Sequence, residues 1–534
     1  MKKAYIVIFV LSIFALVTII KLATIINNDT IKTAVANKGT YTINSVEKYG
    51  DIYDCNMNPI VNCLEKYNAV IIPNHLTSIQ LQPYIIDTEA YYNGIIEDLP
   101  FLCEVKKEVL NAGLNAIIFK SAVRNDNNQI APHIIGYTLD NQGICGIEKS
   151  YNDFLRENST QNSVTFQVNA LGEVLNGLNQ ETVYSEKSDA GIITTLDKNI
   201  QKICETAFEN SAAQSGAIVV MDVKTGEIKA SISYPEYNIN NLSEYVKAAN
   251  SPFINRALSA YSVGSIFKLI TSASALEQGI SSEFCYTCTG SIDVNGQTFN
   301  CHKWGGHGEI DMEEAIVLSC NTYFIALSEY LDKNQYVDLA SSFGFGQEII
   351  LCDDVISVSG NLQTVDDIKI PAECANMSFG QGRLSATPLQ ICRMTSAIAN
   401  NGIINQPSLI KGIQNKDGII TYTPITSGER IISYKTALKL KSFMIKTVRA
   451  ENSLSEPDKT IAAGKTSTAQ TGWYDSNGNE IYNCWFTGYF PSYNPKYAVT
   501  VLVEGGVSGN TSAGPIFKTI ADQITEYEKS LRNN

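Results

Sequence analysis

The chain has 534 residues, of which 44% are hydrophobic, and its formal net charge is −14 at pH 7. This length exceeds what one modest hydrophobic core can organise, so we expect two or three folded units. The negative charge argues against nucleic acid as a partner, because a polyanion needs a basic face that this composition does not offer.

The N-terminal segment predicts a membrane anchor. Lys2 and Lys3 precede an apolar run that is interrupted at Lys21 and ends at Ile26, which is long enough to cross a bilayer core. No Ala-x-Ala pattern follows it, so we expect an uncleaved span. The early lysines place residues 1–3 in the cytoplasm, a single transmembrane anchor at 4–26, and everything after it outside the cell membrane.

The rest of the chain changes in texture near residue 185. Residues 27–185 mix short apolar runs with polar residues and predict a small, mixed α/β module. Beyond it, Gly216–Asp222 and Ile228–Ile232 have the composition of two strands, joined as a hairpin by the turn Lys224–Gly226.

Helical and strand patterns alternate further along the chain. Ser265–Gln278 and Met312–Tyr330 carry helical periodicity, whereas Tyr497–Val503 alternates as a strand. Strands at both ends with helices between them predict one sheet assembled from distant segments and flanked by helices. We assign this domain to residues 190–530.

One serine and one lysine suggest covalent catalysis. Ser265 and Lys268 are three positions apart at the start of a predicted helix, which puts both on the same face. A serine hydroxyl needs a base to become a nucleophile, and a lysine held neutral by burial can be that base. The pattern alone is weak, because Ser45 and Lys48 have the same spacing in an ordinary polar stretch.

Two later motifs separate Ser265 from the decoy. Ser319-Cys320-Asn321 follows in an apolar helical context, and Lys465-Thr466-Ser467-Thr468 leads into a predicted strand. Their order is that of the penicillin-recognising serine enzymes. A literal Lys-Thr-Gly at Lys224–Gly226 precedes the serine and occupies the hairpin turn, so the order rejects it.

With these motifs the chain resembles the class B penicillin-binding proteins from about Ile193 onward. Flanking segments agree, among them Gly380-Gln381-Gly382 and Trp485–Tyr489. The resemblance implies a serine β-lactamase/transpeptidase-like fold of the α/β (α+β) class, with an antiparallel sheet flanked by helices. It also implies that the anchor and a pedestal or dimerisation-type domain at 27–185 precede the transpeptidase domain.

The resemblance further implies a D,D-transpeptidase that cross-links peptidoglycan stem peptides ending in D-Ala-D-Ala and binds β-lactams covalently. It requires no cofactor for catalysis. The implied catalytic residues are Ser265, Lys268, Ser319, Asn321 and Lys465. Thr466 and Thr468 would bind the substrate carboxylate, and the backbone N–H groups of Ser265 and Thr468 would form the oxyanion hole. A polytopic membrane glycosyltransferase is the expected partner.

Ser467 departs from the family pattern, which usually has glycine at this third position of the strand motif. Strand alternation places its side chain opposite those of Thr466 and Thr468, toward the serine helix. We expect an extra hydroxymethyl group there to crowd that helix.

A cluster of soft ligands predicts a structural zinc site. Cys285, Cys288, Cys301 and His307 lie between the serine helix and Ser319, at spacings that suit tetrahedral zinc. His302 or Asp311 could substitute for one of them. A Cys288–Cys301 disulfide or plain thiols are the alternatives, and thirteen cysteines is an odd count.

Three other functions compete with the transpeptidase. A β-lactamase would turn over a chromogenic cephalosporin rapidly, whereas a D,D-carboxypeptidase would transfer the acyl group to water. A β-lactam sensor or a wall-synthesis scaffold would be catalytically weak, and the intact motifs argue against it.

Overall fold

The computed structural model describes residues 39–73, 75–169, 174–175, 180–184 and 186–533, together with Val17, Thr18 and Lys21. Apart from these last three positions, the predicted anchor at 4–26 and the stub at 1–3 lie outside the described residues. No helix in the described part is both long enough and apolar enough to cross a membrane.

The chain forms two compact units, and both are discontinuous in sequence. The first comprises Met1–Tyr49, Asn62–Arg124 and Asn158–Ser188, and the second comprises Gly50–Val61, Asn125–Glu157 and Asp189–Asn534. The sequence-based boundaries, 27–185 and 190–530, are continuous and stay a prediction.

The first unit combines short helices with two three-stranded sheets. One sheet contains Thr40–Lys48, Thr160–Gln167 and Glu181–Val183, and the other contains Phe101–Val105, Leu64–Ile71 and Ile118–Val123. Its α-helices are Leu76–Leu81 and Thr88–Glu97, with 3₁₀ turns at Gln82–Tyr84 and Lys107–Asn111. The second of these helices begins at a capping aspartate, because the Asp87 carboxylate accepts the Ala90 N–H at 2.9 Å.

A five-stranded antiparallel sheet organises the second unit. Its strands are β1 (Gly216–Asp222), β2 (Ile228–Tyr234), β3 (Ala463–Tyr474), β4 (Glu480–Phe490) and β5 (Tyr497–Glu504). They lie in the order β2-β1-β5-β4-β3, and all four pairings are antiparallel. The predicted hairpin, the C-terminal strand and the sheet assembled from distant segments are therefore confirmed.

Both faces of this sheet are buried, which explains why β1 and β5 are mostly apolar along their whole length. Ala217 and Val219 belong to one hydrophobic core, whereas Ile218 and Val220 belong to the other. Successive side chains of a strand point to opposite faces, so β1, β2, β4 and β5 each contribute to both cores. The helix Pro388–Ala399 contributes buried side chains to the first core, and the helix Gly514–Asn533 contributes buried side chains to the second.

The second unit contains further α-helices besides these two. Their bounds are Pro132–Ile135, Gly146–Ser150, Asn152–Glu157, Lys198–Glu209, Leu242–Tyr245, Lys268–Glu277, Met312–Val317, Asn321–Ser328, Lys333–Ser342, Pro371–Ser378 and Tyr434–Val448. The predicted serine helix is confirmed as a 3₁₀ turn, Gly264–Phe267, that continues into Lys268–Glu277. The helical pattern of Met312–Tyr330 corresponds to two helices, because helical structure is interrupted between Val317 and Asn321.

Short sheets complete the second unit. One has four strands, Asp51–Tyr53, Gly191–Thr194, Ile410–Gln414 and Ile420–Tyr422. The two-stranded pairs are Thr138–Leu139 with Gln142–Gly143, Tyr261–Ser262 with Ser385–Ala386, Tyr286–Cys288 with Gly308–Ile310, Ser291–Val294 with Gln297–Asn300, Ile349–Cys352 with Val355–Ser357, and Ile403–Ile404 with Glu429–Arg430.

Candidate active site

A cleft of about 850 Å³ opens beside β3, and the half-buried Ser265 lies in its wall. Ser319, Asn321, Thr466 and Thr468 line the same cleft. The three sequence motifs, which are up to two hundred residues apart, therefore meet at one place. Such a concave site with convergent polar groups is the usual form of an active site.

Lys268 is the buried centre of the site. Its side chain is 0% exposed, and its Nζ donates hydrogen bonds to Ser319 O at 2.7 Å, Ser319 Oγ at 3.3 Å and Asn321 Oδ1 at 2.7 Å. Burial, reinforced by the positive charge of Lys465, holds the pKa of Lys268 well below its ordinary value. Three acceptors suit a charged ammonium, but burial is the larger effect and favours the neutral amine that a general base requires.

Ser319 explains why the predicted helix breaks. Its φ of 54° is left-handed, a conformation that costs a residue with a Cβ roughly 1 kcal/mol. The left-handed residue separates Met312–Val317 from Asn321–Ser328 and presents both its hydroxyl and its carbonyl to Lys268. Periodicity could not reveal this, because Ser319 lies between two segments that are each helical and apolar.

Lys465 approaches the same hydroxyl from the sheet. Its Nζ donates to Ser319 Oγ at 3.2 Å and to Thr466 O at 3.1 Å. Burial lowers the pKa of Lys465 to about 7. Ser319 Oγ therefore lies between two buried lysines. This arrangement can pass a proton between Lys268, on the serine helix, and Lys465, on β3.

The hydroxyl of Thr468 is oriented from outside β3. The Gly509 N–H donates to Thr468 Oγ1 at 3.0 Å, which leaves the hydroxyl proton available to a ligand in the cleft. Gly509 begins a single π-helical turn, Gly509–Ala513, and such turns often occur at functional sites. A Cβ at Gly509 would lie 2.4 Å from Ser467 O, so only glycine fits there.

Neither decoy motif lines this cleft. Ser45 and Lys48 are in strand Thr40–Lys48 of the first unit, where Ser45 is buried. Lys224–Gly226 forms the turn between β1 and β2, as predicted, and Lys224 Nζ donates to Asn400 Oδ1 at 3.0 Å.

Sequence reasoning missed most of the polar lining of the cleft. The additional lining side chains include Gln297, Asn300, Asn376, Gln381, Gln470, Tyr482, Ser508 and Asn510. Of these, only Gln381 lay in a segment that the sequence singled out. The others come from a helix, strands and loops whose approach to the cleft depends on the assembled fold.

The Cys/His cluster forms, but with one member changed. Ligand atoms of Cys288, Cys301, His307 and Cys320 all lie within 4.8 Å of one another. Cys285 is not part of this group: its side chain is exposed, and its Sγ donates to Glu283 O at 3.3 Å. Cys320, inside the Ser-x-Asn motif, takes its place because the left-handed Ser319 ends the preceding helix and the chain turns there. All thirteen cysteines are in the described part and none is disulfide-bonded, so the alternative Cys288–Cys301 disulfide is not formed.

Comparison with known proteins decides the family. A family model described as "Penicillin binding protein transpeptidase domain" matches residues 216–522, more than half of the chain. The chain belongs to the penicillin-binding protein transpeptidase family. The family predicted from the motifs is thus confirmed, and the matched range contains every residue that we assigned to catalysis or carboxylate binding.

Individual members of the family match over a large part of the chain. Stage V sporulation protein D of Bacillus subtilis is 32% identical over 431 residues, which are 75% of this chain and 64% of that protein. Peptidoglycan D,D-transpeptidase MrdA of Haemophilus influenzae is 28% identical over 421 residues, which are 71% of this chain and 62% of that protein. The chain thus spans less than two thirds of the length of either relative.

A solved penicillin-binding protein has the same fold. The crystal structure of penicillin-binding protein 3 from Mycobacterium tuberculosis, complexed with aztreonam, matches with a TM-score of 0.66 at 21% identity, and the match covers 91% of this chain and 97% of that one. At this identity the likeness shows the fold alone. The predicted transpeptidase-like α/β fold is confirmed.

Proposed function

We propose that this chain is a class B peptidoglycan D,D-transpeptidase that works through an acyl-enzyme on Ser265. One observation carries the proposal: the buried network in which Lys268 and Lys465 both contact Ser319, at the wall of the cleft that holds Ser265. A structural salt-bridge network would pair lysines with carboxylates, whereas here the hydrogen bonds of both lysines go to neutral oxygens.

In the acylation step, Ser265 Oγ attacks the carbonyl carbon between the two terminal D-alanines of a stem peptide. Neutral Lys268 takes the hydroxyl proton, and the backbone N–H groups of Ser265 and Thr468 bind the developing oxyanion. The C–N bond then breaks, Ser319 relays a proton to the departing amine, and D-alanine leaves. The step needs no cofactor, because side chains supply every proton transfer.

The other cleft residues hold the peptide. Asn321 would hydrogen-bond the substrate amide, while Thr466, Thr468 and the charge of Lys465 would bind the terminal carboxylate. An amine of a neighbouring stem peptide then attacks the acyl-enzyme and forms the cross-link. A β-lactam places an amide carbonyl and a carboxylate in a similar arrangement, so it should acylate the same serine.

The test is covalent labelling of the purified full chain with a fluorescent penicillin, followed by gel and intact mass. We expect one adduct per chain on the parent and on Ser45→Ala, the matched Ser-x-x-Lys decoy, and none on Ser265→Ala. Labelling of a correctly folded Ser265→Ala would refute the assignment of the nucleophile.

Turnover separates the remaining candidates. Rapid hydrolysis of a chromogenic cephalosporin would identify a β-lactamase. Release of D-alanine from a stem peptide without cross-link formation, in the presence of an acceptor amine, would identify a D,D-carboxypeptidase. Stable labelling without any release of D-alanine, and therefore without cross-link formation, would indicate a sensor or a scaffold.

We also propose a membrane location and a partner for this chain. Residues 4–26 would anchor the chain in the cell membrane with the catalytic unit outside, and the module at 27–185 would act as a pedestal. The apolar run and the lysines before it support the orientation. A polytopic membrane glycosyltransferase would supply the glycan. Deletion of residues 1–26 should release the chain from membranes, and retention of the deleted protein there would contradict the anchor.

The Cys/His cluster supports a structural zinc ion. Zn–S bonds of about 2.3 Å and Zn–N bonds of about 2.0 Å give tetrahedral edges of about 3.8 Å between two sulfurs and about 3.5 Å between sulfur and nitrogen. The Cys301 and Cys320 sulfurs are 3.9 Å apart, and His307 Nδ1 is 3.6 Å from Cys288 Sγ and 3.5 Å from Cys301 Sγ. Three of the six edges thus match tetrahedral zinc, and all four ligand atoms lie within 4.8 Å of one another.

A zinc ion at this site would link the segment 288–307 to Cys320, which lies between Ser319 and Asn321. Metal analysis of the purified full chain should find about one zinc per chain, reduced by Cys301→Ser and retained by the control Cys285→Ser. A zinc content far below one per chain in the parent would rule the site out.

A further inference from the structure

Ser467 makes a hydrogen bond that a glycine at this position could not make. Its side chain is 2% exposed, and its Oγ donates to the carbonyl of Val263 at 2.9 Å. The side chain points to the serine helix, as strand alternation predicted. The expected crowding is absent, because the hydroxyl is accommodated by an ordinary hydrogen bond.

Gly264 provides the room for that hydroxyl. A Cβ at Gly264 would lie 2.4 Å from Ser467 Oγ and 3.0 Å from Ala469 Cβ, and the φ of Gly264 is +63°. Its N–H donates to Gly380 O at 2.8 Å, which fixes the turn from the opposite side. The side chain at 467 and the missing side chain at 264 are therefore complementary.

The hydrogen bond joins the two segments that carry the reacting groups. Val263 lies two residues before Ser265, and Ser467 lies directly before Thr468. The N–H groups of Ser265 and Thr468 are the two donors of the proposed oxyanion hole. The indole N–H of Trp485 also holds this turn, through Ser262 O at 2.9 Å, but from β4 rather than from β3.

We propose that Ser467 is a positioning residue, whose hydroxyl sets the separation of the Ser265 and Thr468 N–H groups by holding the Val263 carbonyl. This inference rests on the proposed acyl-enzyme function and deepens it. Loss of a whole oxyanion-hole donor costs about 10²–10³ in rate, and a displacement of one donor should cost a part of that. The effect should fall on the chemical step, because the oxyanion exists only after attack.

The experiment compares Ser467→Ala and Ser467→Gly with the parent, as full chains. The Ala variant removes only the hydroxyl, and the Gly variant removes the Cβ as well and restores the usual family residue. Time courses at several concentrations of a fluorescent penicillin separate the dissociation constant of the non-covalent complex from the acylation rate constant. We expect the acylation rate constant to fall about tenfold in both variants, with the dissociation constant changed less than about threefold.

Ser233→Ala is the matched control. Ser233 is 1% exposed, lies in β2 of the same sheet, and donates its hydroxyl to the distant carbonyl of Ile254 at 2.7 Å. Its loss should lower the midpoint of thermal unfolding without slowing acylation. A Ser467→Ala protein that behaves like Ser233→Ala would overturn the proposal, because its hydroxyl would then be merely structural.

Either of two further results would also overturn it: acylation of Ser467→Ala at the parental rate, or parental rates in Ser467→Gly. Failure here is distinguishable from failure of the proposed function. Whether the parent is labelled at Ser265 tests the proposed function and does not depend on the role of Ser467. The role of Ser467 is tested by comparing acylation rates, and only among proteins that are labelled.

Discussion

Replacement of Lys465 by methionine should stabilise the protein at neutral pH while inactivating it. Burial lowers the pKa of Lys465 from its ordinary value of 10.5 to about 7. Each pKa unit is worth about 1.4 kcal/mol, so the buried charge costs the folded state about 5 kcal/mol below pH 7. Methionine fills a similar volume but forgoes the hydrogen bonds to Ser319 and Thr466, worth about 1 kcal/mol each.

Proton binding by the folded and unfolded chains determines how the stability difference changes with pH. Between pH 7 and about 10.4 the unfolded chain keeps its Lys465 proton while the folded chain loses it, so the cost shrinks as the pH rises. We expect Lys465→Met to be more stable than the parent by about 3 kcal/mol below pH 7, and less stable by about 1 kcal/mol near pH 10, where the lost hydrogen bonds outweigh the remaining cost of the charge.

The assay is urea unfolding of the full chain between pH 6 and 10, followed by tryptophan fluorescence. Trp485 is buried in β4 and reports on the central sheet. Lys435→Met, at an exposed lysine of helix Tyr434–Val448, is the control, and its difference from the parent should stay constant with pH. A difference for Lys465→Met that is also constant would refute the claim that burial of the charge destabilises the fold.

Three further predictions concern the same site. The acylation rate should rise with a midpoint far below pH 10.5, because the lowered pKa of Lys268 supplies neutral base there, and Lys268→Arg should remove this rise in the pH profile. Ser319→Gly and Ser319→Ala should both acylate slowly, but urea unfolding should find the Gly variant more stable by about 1 kcal/mol, since φ is 54°; equal stabilities would contradict a strained serine. Gly264→Ala should abolish labelling through a contact of 2.4 Å with Ser467 Oγ, and adding Ser467→Gly should restore part of it; no restoration would leave the left-handed φ of Gly264 or Ala469, 3.0 Å away, as the obstacle.

The sequence predicted the strands of the central sheet better than it predicted the helices. β1, β2 and β5 were predictable because β1 is a continuous apolar run, β2 and β5 have the composition or alternation of strands, and turn residues separate β1 from β2. The helix Met312–Tyr330 was not, because helical periodicity continues across Leu318–Cys320 and nothing local marks Ser319 as left-handed. The compensating contacts come from Lys268, fifty-one residues earlier in the chain.

The sequence by itself determined the chemistry of this protein. Serine, lysine and hydroxyl residue types at fixed spacing and in a fixed order identified the family and the candidate nucleophile, because local spacing on a helix or strand places side chains without reference to the rest of the fold. Only the tertiary structure decided which groups meet. Cys320 rather than Cys285 joins the Cys/His cluster, because the left-handed Ser319 turns the chain at that point. Gly264 makes room for Ser467, because β3 packs against the start of the serine helix, about two hundred residues away in sequence.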